Sequence, residues 1–81
     1  MLLEYTEQFR RSHARAPENV RRAFAKQARH LQRDLRHPSL RAKKYGESRD
    51  VWQARVDRSW RFYFVIRGDT CVLLDLIPHP K

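Results

Sequence analysis

The sequence predicts an α+β domain: a short N-terminal strand and two helices, then a three-stranded antiparallel meander, with the helices packed on one face of the sheet. Two periods indicate this class. Apolar residues recur at helical spacing through residues 17–36, and apolar and polar residues alternate from residue 51 onward. The length, 81 residues, is that of one domain with a thin core, so residues 1–81 are expected to fold as a single unit.

The first two elements are short. Leu2–Tyr5 is an apolar run that could form an edge strand. Thr6 is a residue type that caps helices, and residues 7–15 are predicted to form a helix anchored by Phe9. Pro17 interrupts this helix and can serve as the first residue of the next one.

The helix predicted over residues 17–36 has two faces. Its apolar stripe consists of Val20, Phe24, Ala28, Leu31 and Leu35. Its cationic row consists of Arg22, Lys26, Arg29, Arg33 and Arg36. At about 100° per residue the two sets lie on nearly opposite faces, so one side packs and the other presents charge. Such a row is commonly a solvated surface. Here the row has no acidic partner at i+4 except Asp34, which lies off the stripe, and the repulsion within the row favours an external anion.

A polar, basic connector at residues 38–50 follows the helix, because a proline disfavours helical geometry at the preceding His37. The connector leads directly into the sheet and is expected to lie over it. Strands are then predicted over residues 51–57, 60–66 and 71–77. Alternation assigns Trp52, Trp60, Phe62 and Phe64 to the core face, and Arg55, Arg61 and Tyr63 to the other face.

Two registers are open for the first hairpin of this sheet. A three-residue turn at 57–59 places Arg55 opposite Arg61, where like charges destabilise the sheet unless an anion neutralises them. A longer loop instead pairs Asp57 with Arg61 as a simple ion pair. The first register predicts an anion site on the polar face of the sheet, whereas the second predicts only a structural contact. The facing of Asp75 in the last strand is likewise open.

Charge and cysteine content restrict the partners. The formal net charge is +9, and 14 of the 18 basic residues are arginine, whose planar fork matches phosphate and carboxylate. A nucleic acid or an acidic protein is therefore expected as partner.

Cys71 is the single cysteine, which excludes an intrachain disulfide, and its thiol is expected to be buried. No transmembrane or signal segment is found, so the cytoplasm is the default location. No metal, cofactor or small-molecule ligand is expected, since metal-ligand spacing and glycine-rich phosphate loops are missing.

Two segments carry a resemblance to a known family. Residues 52–64, WQARVDRSWRFYF, resemble the stretch of the RelE/ParE superfamily in which an aromatic residue and an Arg-Val pair precede a Tyr-Arg pair and alternating apolar residues. Residues 38–46, PSLRAKKYG, resemble the stretch of proline, leucine and lysine that precedes a glycine turn in that family. The resemblance covers the chain from about Leu2 to His79. It implies a toxin of a bacterial type II toxin–antitoxin system.

The resemblance implies an activity and partners. RelE-like members are ribosome-dependent mRNA endonucleases, whereas ParE-like members poison DNA gyrase without cutting RNA. Both kinds are neutralised by an acidic antitoxin. The leading hypothesis is a RelE-like mRNA interferase whose partners are the cognate antitoxin and the ribosome with its mRNA. The alternatives are a ParE-like gyrase-binding toxin and a basic RNA-binding domain without toxicity.

The same resemblance assigns catalytic roles. Arg61 matches the arginine that contacts the scissile phosphate in RNA-cleaving members, Arg55 matches a basic position on the preceding strand, and His79 lies near the place of a catalytic histidine in some members. Metal-free cleavage by the 2′-OH needs charge stabilisation at phosphorus, which arginines supply, and an acid and a base, a task that suits imidazole. Lys43 and Lys44 match the basic connector of the family.

Further residues complete this hypothesis. Tyr45 or Tyr63 could stack on an RNA base, with Tyr63 on the polar strand face, and Glu47 or Asp50 could supply a base. The chain departs from many RNA-cleaving members because it has no basic segment and tyrosine beyond the last strand. The acid and stacking roles therefore stay open: activity could rest on His79 alone, be weak or be absent, and an exposed tail residue is the alternative interpretation of His79.

Overall fold

The computed structural model describes residues 1–46 and 50–79 and confirms the predicted α+β class. Its elements, in chain order, are β1 (Leu2–Tyr5), α1 (Glu7–Arg15), α2 (Glu18–Arg33), a 3₁₀ turn (Pro38–Leu40), β2 (Lys43–Lys44), β3 (Val51–Arg55), β4 (Trp60–Arg67) and β5 (Thr70–Pro78). Neither helix has the length and hydropathy that a membrane crossing would need, as far as the described residues go.

The sheet has five strands in the order β1-β5-β4-β3-β2. The predicted meander forms its centre, and β1 is an edge strand that runs parallel to β5. The prediction that the connector lies over the sheet is wrong for Lys43 and Lys44, which pair with Gln53 and Trp52 and so extend the sheet at its other edge as β2. Backbone amides at an open sheet edge bind a further strand, and this accounts for the difference.

Thr6 begins α1 as predicted and also joins it to the sheet. Its hydroxyl oxygen accepts a hydrogen bond from the amide of Phe9 at 3.1 Å, and the hydroxyl donates to the carbonyl of Leu73 at 2.8 Å. The first link caps the helix and the second fixes the start of α1 against β5.

The second helix ends earlier than predicted, at Arg33 rather than at residue 36. The carboxylate of Asp34 accepts from the amide of Arg36 at 2.9 Å, and its carbonyl accepts from the amide of His37 at 3.0 Å. Local bonds of this kind compete with helical ones, so the chain turns at Asp34. Arg36 therefore does not belong to the cationic row of α2.

The core lies between the helices and one face of the sheet. Phe24 of α2 meets Phe62 of β4 edge to face, with ring centroids 5.3 Å apart, and Phe9 of α1 packs on Phe24 at 5.1 Å. The predicted stripe of α2 is buried through Leu31, while Leu35, beyond the helix end, is half-buried. Cys71 is buried, as expected, and burial raises the pKa of its thiol.

The first hairpin adopts the register of the three-residue turn. Arg55 lies directly opposite Arg61, and the amide of Val56 donates to the carbonyl of Trp60 at 3.0 Å. The carboxylate of Asp57 accepts from the amides of Ser59 and Trp60, at 2.8 and 2.9 Å, and closes the turn. The strand predicted over 51–57 therefore ends at Arg55.

The outer face of the sheet, opposite the helices, changes character along its strands. A register shift between Tyr63 and Phe64 in the β4–β5 pairing places Asp75 opposite Tyr63. The strand pairing forms three rows from β3 through β4 to β5: Val51, Val65 and Val72; then Gln53, Tyr63 and Asp75; then Arg55, Arg61 and Ile77. The carboxylate of Asp75 accepts a hydrogen bond from the hydroxyl of Ser12 in α1 at 2.5 Å. The polar and cationic rows lie toward the end of β3, and the candidate site is there.

Candidate functional site

A cleft of about 340 Å³ lies on the outer face where β3 ends and β4 begins. Its lining consists of Arg41, Lys43, Gln53, Arg55, Arg61 and His79. The fold thus brings together the three residues predicted to be catalytic and one of the two predicted connector lysines. The described lining includes four cationic side chains and no carboxylate, so the cleft suits an anion.

Arg61 is the deepest cation of this cleft, with 9% of its surface exposed. Its Nη1 donates to the carbonyls of Asp57 and Trp60, at 2.8 and 2.9 Å, which fixes the guanidinium at the turn. Burial lowers the pKa of Arg61, and the charge of Arg55 lowers it further. The Asp57 carboxylate bonds to the turn amides instead of the guanidinium. The interpretation of Arg61 as a simple ion-pair partner of Asp57 is therefore wrong.

Arg55 faces Arg61 across the hairpin, and part of its guanidinium is buried. Its Nε is out of contact with solvent and has no hydrogen-bond partner among the described residues. Its backbone is held from the other side, because the amide of Gln27 donates to its carbonyl at 2.8 Å. Two opposed guanidinium groups with no bonded carboxylate among the described residues favour binding of an anion, which would offset their repulsion.

His79 is attached to the site through its backbone. Its amide donates to the carbonyl of Ser59 at 2.6 Å, and the preceding Pro78 pairs with Trp60 as the last residue of β5. The imidazole is exposed and lines the cleft that contains Arg61. The tail is therefore bound to the β3–β4 turn, which brings an imidazole beside the two arginines.

The two connector lysines point to opposite sides of the sheet edge. Lys43 lines the cleft, whereas the Nζ of Lys44 lies 5.3 Å from the centroid of the Trp52 ring and 3.5 Å from the Asp50 carboxylate. Lys44 therefore does not join the cleft, and neither does Asp50, whose carboxylate lies beside Lys44. Glu47, the other proposed base, lies outside the described residues.

Tyr45 and Tyr63 form an aromatic pair next to Arg55 and Arg61 on the outer face of the sheet. Their ring centroids lie 5.1 Å apart in an edge-to-face arrangement, with Tyr45 exposed and Tyr63 half-buried. Burial raises the pKa of the Tyr63 phenol, and Tyr45 raises it further. The Tyr63 phenol is therefore neutral at physiological pH and can donate a hydrogen bond or stack, but it cannot act as a general base there.

The cationic row of α2 lies elsewhere. Arg22, Lys26, Arg29 and Arg33 are exposed on the helix, and none of them lines the cleft. Arg22 also has an acidic neighbour that the sequence interpretation overlooked, since its Nη2 lies 3.2 Å from the Glu18 carboxylate. The row and the cleft thus have no residue in common.

Sequence interpretation missed two residues of the cleft, Arg41 and Gln53. Gln53 could have been found from the alternation of β3, since it shares a face with Arg55. Arg41 gave a weaker signal, as one of several cations in the connector. Its backbone is in the left-handed region, with φ 46° and ψ 41°, at the end of the 3₁₀ turn.

A larger cavity, of about 500 Å³, lies between β1, α1 and α2 and shares no lining residue with the cleft. Leu3, Phe9 and Phe24 give it an apolar lining, and Arg10 and Arg29 also border it. Across the described ranges, no group of three or more His, Cys, Asp or Glu side chains has the geometry to hold a metal ion.

Comparisons with known proteins agree with this architecture. No family model and no curated protein matches the sequence. Among solved structures, a chain of the RelBE2 toxin–antitoxin complex from Mycobacterium tuberculosis matches with a TM-score of 0.80 and 22% identity over 96% of both chains. YafQ from Escherichia coli matches with a TM-score of 0.80 and 15% identity, over 95% of this chain and 91% of that one. A chain of the intact E. coli RelBE complex matches with a TM-score of 0.77 and 12% identity, over 99% and 98%. The chain therefore has the RelE-like toxin fold.

Proposed function

We propose that this chain is the toxin of a type II toxin–antitoxin module and that it cuts mRNA on the ribosome without a metal ion. The observation that carries the proposal is the opposed pair Arg55 and Arg61 in a cleft with His79. The fold supports it further, because the solved structures that it resembles include RelBE complexes and YafQ.

The reaction would proceed by attack of the 2′-oxygen on the adjacent phosphorus. The 2′-OH loses its proton to a base, the P–O5′ bond breaks, and the departing 5′ oxygen takes a proton, which leaves a 2′,3′-cyclic phosphate. Arg61 and Arg55 would stabilise the negative charge that develops on the phosphoryl oxygens, since guanidinium groups fixed before the reaction do not need to reorganise. His79 would move a proton as acid or base.

The surrounding residues would hold the substrate. Lys43 adds positive charge at the rim of the cleft, and the Tyr45–Tyr63 pair presents an aromatic surface on which a base could stack. The exposed cations of α2, with Lys44 and Arg36, would contact ribosomal RNA or an acidic antitoxin through their charge. Both partners are polyanions, in agreement with the net charge of +9.

The test is induction of the chain alone in bacteria, with mapping of mRNA 5′ ends and of ribosome positions. We expect growth arrest and cleavage within ribosome-bound codons for the unaltered chain. His79→Gln and Arg61→Gln should abolish cleavage, and His79→Gln also tests the site without disturbing the core, because this side chain is exposed. Arg67→Gln is the matched control: it removes one exposed cation at the far end of β4 and should cut normally.

Other results would contradict the proposal in different ways. Growth arrest with intact mRNA and inhibited supercoiling would identify a gyrase-binding toxin. Normal growth during induction without any antitoxin would identify an RNA-binding domain without toxicity. Cleavage that persists in both His79→Gln and Arg61→Gln would exclude the cleft as the catalytic site.

A further inference from the structure

A second basic depression lies beside the cleft, at the end of β3. Its volume is about 470 Å³, and the charged side chains among its lining residues are Lys26, Arg41 and Arg55. None of the described residues that line it is acidic. Arg41 and Arg55 also line the cleft of Arg61 and His79. The two hollows therefore share a wall made of two arginines.

The depression is built on a buried polar contact. Gln27, only 5% exposed, donates through Nε2 to the carbonyls of Ser39 and Arg55, at 2.9 and 2.8 Å. Its Oε1 accepts from the hydroxyl of Ser39 at 3.0 Å. One side chain thus ties α2, the 3₁₀ turn and β3 together. Lys26, which precedes Gln27, and Arg41, two residues after Ser39, both line the depression next to this contact.

The backbone of Arg41 gives a second reason to assign a role to this side chain. Its φ of 46° is a conformation that glycine adopts freely and that other residues rarely adopt. Arg41 also adds positive charge where Arg61 and Arg55 already repel each other, since it is among the charges that lower the pKa of Arg61. Backbone strain and unfavourable charge at one residue are typical of a position where the side chain binds a ligand.

We propose that this depression is a second phosphate subsite, which holds the phosphodiester next to the one that is cut in the cleft. The proposal rests on the proposed function and specifies where the RNA strand leaves the site. A strand that crosses the end of β3 would meet Arg61 and His79, then the shared Arg55 and Arg41, and then Lys26. Guanidinium groups bind phosphate through two parallel hydrogen bonds, and an ammonium group binds it as a point charge. Lys26 is thus the residue through which the cationic face of α2 joins the cleft.

The test measures what one added phosphate contributes to binding. The probe is a fluorescent RNA dinucleotide, whose single phosphodiester is made uncleavable by a 2′-O-methyl group, with or without an extra terminal phosphate at its 5′ or its 3′ end. For the unaltered protein, the added phosphate should strengthen binding about tenfold at one end only, as expected for hydrogen bonds to a charged group. Arg41→Gln and Lys26→Gln should each abolish most of this gain. Both side chains are exposed, so these variants keep the core.

Arg67→Gln, with the same loss of charge at the far end of β4, should keep the gain. The proposal is overturned if the gain survives in Arg41→Gln and Lys26→Gln, if Arg67→Gln loses it equally, or if neither terminal phosphate strengthens binding by the unaltered protein. Failure of the nuclease function is separate, because it would show as uncut mRNA on induction. Stronger binding from the added phosphate together with uncut mRNA would support the subsite and contradict the nuclease proposal. Cut mRNA without stronger binding would contradict the subsite alone.

Discussion

At the residue scale, Arg61 has the orientation that the proposed phosphate site would need. A guanidinium with 9% exposure would ordinarily be bonded to a carboxylate, yet here its hydrogen bonds within the described chain go to the carbonyls of Asp57 and Trp60. These bonds orient the group beside Arg55, and no described carboxylate forms an ion pair with it. An arginine in this state is ready to bind phosphate without rearrangement, which is what stabilisation of a transition state requires.

Arg41 allows a test of backbone strain at a single residue. Its left-handed conformation costs a non-glycine residue about 1–2 kcal/mol. Glycine avoids this cost, but its greater flexibility in the unfolded chain cancels about half of the gain in stability. We therefore expect Arg41→Gly to unfold with a free energy about 0.5–1 kcal/mol higher than Arg41→Ala, as measured by urea denaturation. Both variants lose the charge, so the comparison isolates the backbone. Equal stabilities would show that the strain is absent.

His13 predicts a dependence of stability on pH. It packs between Phe9 and Phe24, and burial, followed by the charge of Arg21, lowers its pKa below the ordinary value of about 6.5. The unfolded chain therefore takes up a proton at this residue before the folded chain does. The stability that neutral His13 contributes to the folded state is fully present above pH 6.5 and is lost as the pH falls toward the pKa of His13 in the folded chain.

We expect His13→Phe to keep the aromatic packing and to reduce the loss of stability between pH 7.5 and pH 5.5. Urea midpoints at the two pH values measure this effect. Ala14→Ser, at the exposed neighbouring position, should lose as much stability between the two pH values as the unaltered protein does. If His13→Phe loses as much stability between the two pH values as the unaltered protein, then groups other than His13 cause the loss.

At the element scale, the site depends on joints between elements. The carboxylate of Asp34 ends α2, and the bonds of Gln27 join this helix to the 3₁₀ turn and to β3. The amide of His79 joins the end of β5 to the β3–β4 turn. The cleft is lined by residues that follow the 3₁₀ turn, by residues of β2, β3 and β4, and by His79 after β5, so its residues come from several elements that are far apart in the sequence.

The joint at Gln27 predicts a loss of stability. Gln27→Met keeps the size of the side chain but leaves the carbonyls of Ser39 and Arg55 without their amide donor. The free energy of unfolding should fall by about 1–3 kcal/mol, the cost of unsatisfied buried polar groups. Gln8→Met, on the exposed side of α1, should change it by no more than about 0.5 kcal/mol. Equal effects of the two substitutions in a denaturant titration would show that the joint contributes nothing.

At the scale of the whole molecule, positive charge lies on two surfaces. One is the cleft with its neighbouring depression, and the other is the exposed side of α2, which borders the depression through Lys26. Ion pairs compensate little of it, because those between described residues, such as Arg22 with Glu18, are exposed and weak. A net charge of +9 on 81 residues therefore repels itself in the folded state.

Salt should consequently act in opposite directions on folding and on binding. Between about 20 and 200 mM NaCl the Tm should rise, because screening weakens the repulsion within the protein. Over the same range the affinity for single-stranded RNA should fall, because salt opposes the release of counterions from the phosphates. Thermal scans and anisotropy titrations measure the two trends. A Tm that falls with salt would show that attractive pairs outweigh the repulsion.

Local patterns predicted much of this fold and part of the site. The period of two assigned Arg55, Arg61 and Tyr63 to the outer face correctly, because the facing of a side chain follows from its position along one strand. The end of α2 was misplaced, because the apolar stripe continues to Leu35 while a side-chain bond of Asp34 ends the helix. Arg41 was overlooked, because its position depends on a turn that periodicity does not describe.

The sequence by itself determined the α+β class, the core stripe of α2, the cap at Thr6 and the two faces of the sheet, since each follows from residues close together in the chain. The tertiary structure decided the rest: the register that opposes Arg55 to Arg61, the parallel pairing of β1 with β5, and the attachment of His79 beside Ser59. These depend on turn closure and on backbone pairing between distant segments, for which several arrangements satisfy the same local pattern. A basic polar face was therefore predictable, and its convergence into one cleft was not.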